Sequence, residues 1–130
     1  MFEEVVLAGV VVTGDRRGGA ELGFPTANVE LDDSAPELPE DGVYAGWLED
    51  AAGDRRLAAV SVGSRPTYYG EHGARLLEAY VLDFAGDLYG QHVRVGVTAR
   101  LRGQERFSGS EQLIAQMHRD VQAVRVLAGA

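Results

Sequence analysis

The sequence predicts a mainly β fold, a small closed barrel carrying one helix at its C-terminal end. Three observations point there: short apolar runs separated by regular turn signals, a period-2 pattern over His92–Leu101, and a helical stripe after Ser108. Val5–Val12 is a nearly continuous apolar run, as expected of a strand buried along most of its length. Thr13–Gly23 is glycine-rich, and Phe24–Leu31 resumes in extended form, with Pro25 near its start, where a missing N–H is tolerated. Asp32–Asp41, containing Pro36 and Pro39, reads as an acidic loop. Gly42–Leu48 and Leu57–Val62 read as strands joined through Ala52-Gly53-Asp54, and Ser64–Arg75 as a polar loop.

Leu77–Phe84 alternates, which puts Glu78, Tyr80, Leu82 and Phe84 on one face. After a turn at Ala85-Gly86-Asp87, the last strand sets Val93, Val95, Val97, Ala99 and Leu101 against Arg94, Gly96, Thr98 and Arg100. Ser108 with Glu111 three residues on is a capping-box start. Leu113, Ile114, Met117, Val121 and Val124 then form the apolar stripe of a helix that must pack on the strands. No repeat, linker or low-complexity tract interrupts the chain, so residues 1–130 are expected to form one domain.

Composition narrows the function. The chain has 130 residues and a net charge of −8, and its 12 basic side chains are all arginine. The absence of lysine excludes a P-loop G-K-[ST] site, and the absence of cysteine excludes zinc ribbons, iron–sulfur clusters and thiol nucleophiles. Nucleic acid is a poor partner for so acidic a chain. No apolar run reaches the roughly 18–20 residues of a membrane span, and Met-Phe-Glu-Glu is acidic where a signal peptide is basic. A cytoplasmic protein with no membrane partner is expected.

Gly14, Gly18, Gly19 and Gly23 cluster between two strands, and glycine lets backbone N–H groups approach a phosphate closely. Arg16 and Arg17 add the strongest anion donors this composition offers; the plainer alternative is a solvated turn. Thr26 and Asn28 are separated by one residue in an extended piece and so point to the same side. A hydroxyl and an amide oxygen beside a phosphate loop make a partial shell for Mg²⁺, or else simply hydrogen-bond a turn. Glu78 shares its strand face with large side chains, where partial desolvation would raise its pKa toward a general base's range; an ion pair or a solvated face is the alternative. His72, His92 and His118 are isolated, with His118 expected at the surface, and Trp47 is expected in the core.

Gly14-x-x-x-Gly18 followed by Leu22-Gly23-Phe24-Pro25-Thr26-Ala27-Asn28 resembles the signature of riboflavin kinases (flavokinases). The blocks continue in order: Gly42-Val43-Tyr44-Ala45-Gly46, Val62-Gly63-Ser64-Arg65-Pro66-Thr67, Glu78-Ala79-Tyr80-Val81-Leu82-Asp83-Phe84, Asp87-Leu88-Tyr89-Gly90, then Leu101-Arg102 and Phe107. The resemblance implies a six-stranded antiparallel, Greek-key-like β-barrel with a C-terminal helix. It implies ATP and riboflavin as substrates, ADP and FMN as products, and Mg²⁺ accompanying ATP. Under it, Thr26 and Asn28 hold the metal, and Glu78 is the catalytic carboxylate beside the flavin. Gly14, Arg17, Gly18, Gly19, Pro25, Thr26, Tyr89 and Gly90 line the nucleotide site, and Arg102 and Phe107 close over the flavin. Ser61 stands where many members carry Asn, and Gly103-Gln104-Glu105 departs from the usual flavin-lid sequence. No H-x-G-H motif of an adenylyltransferase (FAD synthetase) occurs, so the chain is expected to stop at FMN and to act as a monomer. The competing reading is a catalytically silent flavin- or nucleotide-binding barrel.

Overall fold

A computed structural model describes residues 4–12, 26–32, 39–65, 74–84, 87–104 and 108–129, with backbone only at 64–65 and 74–76. Six strands and one helix follow in chain order: β1 (Val5–Val12), β2 (Thr26–Leu31), β3 (Gly42–Glu49), β4 (Arg55–Arg65), β5 (Ala74–Val81), β6 (His92–Arg102) and α1 (Ser110–Leu127). The strands close into a barrel in the order β1-β2-β5-β4-β3-β6, every pairing antiparallel. Closure leaves no unpaired edge, and it links the register of each strand to all the others.

The interior takes one face of every strand. Leu7 and Val11, Ala27 and Val29, Tyr44 and Leu48, Val60 and Val62, Leu77 and Ala79, and Val93 and Val95 are all buried in a single cluster. β1 therefore shows half-burial rather than the near-continuous burial expected of it. Its apolar run is deceptive because Val10 faces outward and is 38% exposed, on a part of the wall without a helix over it. β4 is longer than its apolar pattern suggests. Its hairpin with β3 already pairs Glu49 with Arg55, and its far end pairs with β5 down to Arg65 opposite Ala74. Backbone pairing needs no apolar side chain, so these polar ends were illegible in the hydrophobic pattern.

β6 departs most from its sequence pattern. Ala45 pairs with Ala99 and Gly46 with Val97, so Thr98 is a surplus residue, a β-bulge. Its hydroxyl donates to the Ala45 carbonyl at 2.9 Å. The bulge reverses the faces: Val93, Val95 and Val97 fill the barrel, whereas Ala99 and Leu101 turn outward beneath the helix. There they join Ala45, Leu57, Ala59, Tyr80 and Leu82 against Val121 and Val124 of α1. Small side chains on the strands let the helix approach. The helix starts at Ser110 with Gly109 as N-cap and without a side-chain cap bond, so the Ser108–Glu111 capping box does not form. β5 ends at Val81, and Asp83 adopts a positive φ of 55°. This turn takes Phe84 off the Glu78 face and packs it against the barrel interior instead.

Two ion pairs tie the helix down. Asp120, buried to 6% exposure, receives Arg102 Nε at 2.9 Å and Nη2 at 2.8 Å, and Gln116 Nε2 at 2.9 Å. One turn later, Arg125 forms a two-bond pair with Asp83, holding that exposed carboxyl below the usual carboxylate range. On the opposite flank, Trp47 is buried as expected, but on the outer wall, across from its register partner Gly96. The Arg55 guanidinium stacks 3.7 Å from the centroid of its ring and that of Arg94 lies at 5.8 Å, with Glu49 accepting from both arginines.

Two stability predictions arise from these contacts. A Cβ at position 96 would lie 2.0 Å from the Trp47 ring, which the two arginines prevent from moving freely, so Gly96→Ala should cost about 1–3 kcal/mol in a denaturant melt. Asp120→Ala leaves Arg102 without its principal partner in a poorly solvated position and should cost roughly 3 kcal/mol, read as a lowered unfolding midpoint.

Candidate active site

Along β2, Ala27 and Val29 point into the barrel, which sends Thr26 and Asn28 to its outer wall, both half-buried. β5 alternates in the same way: Leu77 and Ala79 face inward, Glu78 and Tyr80 outward. The β2–β5 register sets Asn28 directly opposite Glu78, and Thr26 opposite Tyr80. Opposite cross-strand residues on one face hold their Cβ atoms about 4.5–5.5 Å apart. The hydroxyl, the amide and the carboxylate singled out from sequence are thus adjacent on one patch of wall. They form a single constellation, although fifty residues of chain separate Asn28 from Glu78.

The same row continues to the other side. Glu78 pairs with Ser61 on β4, Ser61 with Val43 on β3, and Val43 with Arg102 on β6. Arg102 is therefore three strand spacings from Glu78, on the order of 14 Å measured around the sheet. Its guanidinium is committed to Asp120 through Nε and Nη2 and to the Gly103 carbonyl through Nη1 at 3.1 Å. It anchors the helix at the point where the chain leaves the barrel. Just beyond it, the Gln104 side-chain amide reaches back over β3, donating to Ser61 Oγ at 2.9 Å and the Val62 carbonyl at 3.0 Å. The start of the β6–α1 connection is thereby fastened beside the immediate neighbour of Glu78.

The Tyr89-Gly90 turn sits at the other end of this wall. The Gly90 amide donates to the Val11 carbonyl at 2.8 Å, and the Val11 amide to the Gln91 carbonyl at 2.9 Å. Gly90 has φ of +82°, a conformation that favours glycine. Asp87 accepts from the Tyr89 amide at 2.8 Å, the turn chemistry expected of it. Tyr89 is left 63% exposed, next to the β1 end where Val12 pairs with Asn28. Gly14, Arg17, Gly18, Gly19, Pro25 and Phe107 lie outside the described residues.

Among the described residues, no three His, Cys, Asp or Glu side chains converge as a metal cluster. The Thr26–Asn28 pair is a different kind of donor set: two neutral hard oxygens on one face, with an acid alongside. It suits an ion that keeps waters and phosphate oxygens as its remaining ligands, as Mg²⁺ does. The sequence marks Ser61 and Gln104 only as departures from the family pattern, without a role, and does not mark Asp120. Ser61 could have been placed on the outer wall from the Leu57–Val62 alternation. Gln104 and Asp120 are recognisable only once the connection and the helix are docked.

The riboflavin kinase (flavokinase) family matches residues 1–128. The bifunctional riboflavin kinase/FMN adenylyltransferase of Escherichia coli K12 is 39% identical over 124 residues, covering 95% of this chain and 38% of that protein. Human riboflavin kinase is 32% identical over 120 residues, covering 90% of this chain and 76% of that protein. Among solved structures, riboflavin kinase of Trypanosoma brucei superposes with a TM-score of 0.69 at 29% identity, over 97% of this chain and 80% of that one. A Streptococcus pneumoniae structure described as a macrolide-efflux protein superposes at 0.83 with 34% identity, over 92% of this chain and 38% of that one. The chain spans well under half the length of the bifunctional relatives it matches and most of the length of the human enzyme. From its full-length family match and its likeness to relatives of similar extent, the chain belongs to the riboflavin kinase (flavokinase) family.

Proposed function

We propose that this chain is an ATP:riboflavin 5′-phosphotransferase, forming FMN and ADP, with Glu78 as the general base. The observation that carries this reading is the register placing the Glu78 carboxylate directly across from Asn28, on the face Thr26 shares. In phosphoryl transfer most of the catalysis comes from positioning and charge complementarity, so acid and phosphate-side ligands must share one surface. Glu78 takes the proton of the ribityl 5′-hydroxyl while that oxygen attacks the γ-phosphorus. The bond from phosphorus to the bridging oxygen breaks and ADP departs. The Thr26 hydroxyl and the Asn28 amide oxygen would hold Mg²⁺, which would supply positive charge to the nucleotide's phosphates.

Tyr89 and Gly90 flank the nucleotide at the Val11–Val12 end, and nucleotide contacts for Gly14, Arg17, Gly18, Gly19 and Pro25 are taken from the family resemblance alone. Arg102 stands on the flavin side, and a flavin contact for Phe107 is taken from the family resemblance alone. The Arg102 guanidinium is bonded to the Asp120 carboxylate and to the Gly103 carbonyl. Its role is to fix the approach of the connection as much as to touch the flavin.

Incubation with riboflavin, ATP and Mg²⁺ should yield FMN on chromatography; added Mg-ADP and FMN should raise the unfolding temperature. Glu78→Gln should lower kcat by about 10²-fold or more while leaving Mg-ADP affinity within about twofold. Near wild-type kcat in that variant would remove Glu78 from the role. Asn28→Ala should raise KM for Mg-ATP and lower kcat together; an effect confined to flavin affinity contradicts the metal assignment.

A further inference from the structure

Ser61 lies on the other side of Glu78 from Asn28, in direct register. It is half-buried on the outer wall, where Leu57 and Ala59 of the same strand face helix α1. Its hydroxyl has one proton to give and two lone pairs to offer. One lone pair is taken by Gln104 Nε2, at 2.9 Å. The same nitrogen also donates to the Val62 carbonyl at 3.0 Å and lies 3.4 Å from the Gly42 carbonyl. Those carbonyls belong to a register pair at the end of the β3–β4 hairpin, so the amide is held from two strands at once. A serine whose acceptor side is occupied by a fixed amide presents its proton in a restricted direction. The carboxylate nearest along the register is Glu78, with Cβ atoms about 4.5–5.5 Å apart, a gap that the glutamate side chain can span.

We propose that Ser61 is a positioning residue for Glu78, its hydroxyl set by the Gln104 carboxamide so that it donates to the Glu78 carboxylate during phosphoryl transfer. One carboxylate oxygen held in this way leaves the other to receive the alcohol proton. The pairing restricts Glu78 to rotamers in which one oxygen reaches Ser61 on β4 and the other is turned away from that strand. Gln104 acts only through Ser61. The inference rests on Glu78 being the general base and assigns the residues that aim it.

The test is steady-state kinetics on the full chain, with unfolding temperature recorded for each variant. Ser61→Ala should lower kcat about tenfold, as loss of orientation does, with KM for Mg-ATP within about twofold. Ser61→Thr, which keeps the hydroxyl, should recover most of that loss. Gln104→Ala should lower kcat less, and the Ser61→Ala/Gln104→Ala double variant should be no slower than Ser61→Ala alone. Wild-type kcat in Ser61→Ala overturns the inference, as does a Ser61→Thr variant as slow as Ser61→Ala. Multiplicative losses in the double variant overturn the Gln104 link. Glu78→Gln is assayed alongside: if it is inactive and Ser61→Ala is not, only this inference fails; if Glu78→Gln is active, the general-base reading fails first.

Discussion

Strand register is the constraint on which the rest of the molecule depends. In a closed barrel no strand can slide alone, because a one-residue slip would turn its interior face outward and break two ladders. Asn28, Glu78 and Ser61 come from three different strands and owe their adjacency to this locking. The buried alternation on β2, β4 and β5 thus serves two purposes: it fills the interior, and it determines which polar side chains meet outside. Core packing and site geometry are two faces of the same pleat.

The helix and the β6–α1 connection complete that wall. The apolar patch beneath α1 uses alanines at 45, 59 and 99 for close approach, and the Arg102–Asp120 pair determines where along the barrel the helix sits. Such a pair gives little net stability, since desolvating both charges offsets most of their attraction, but it is highly directional. It fixes the departure point of the connection, and Gln104, two residues on, then lands on Ser61.

Much of this was legible in the sequence. The strands at Val5–Val12 and His92–Leu101, the closed barrel, the C-terminal helix and the shared face of Thr26 and Asn28 follow from periodicity and turn residues. The adjacency of Glu78 to Asn28 did not, because cross-strand register is a property of the closed sheet and not of either strand. The polar ends of β4 were missed because hydrogen-bonded backbone leaves no apolar trace. The capping box failed because Gly109, rather than Ser108, takes the N-cap. The face of β5 was read too far because Asp83 turns the chain out of its extended path.

Thr98 has a consequence for how such a domain can vary. Two register shifts in β6, the one at Thr98 among them, let one strand serve two compartments, filling the barrel interior with valines and then furnishing the seat of the helix with Ala99 and Leu101. Length in this strand is therefore less tolerant than composition. Swapping one aliphatic side chain for another alters a local fit, whereas shortening the strand by one position would exchange inside for outside over its whole final third and unseat the helix from its platform.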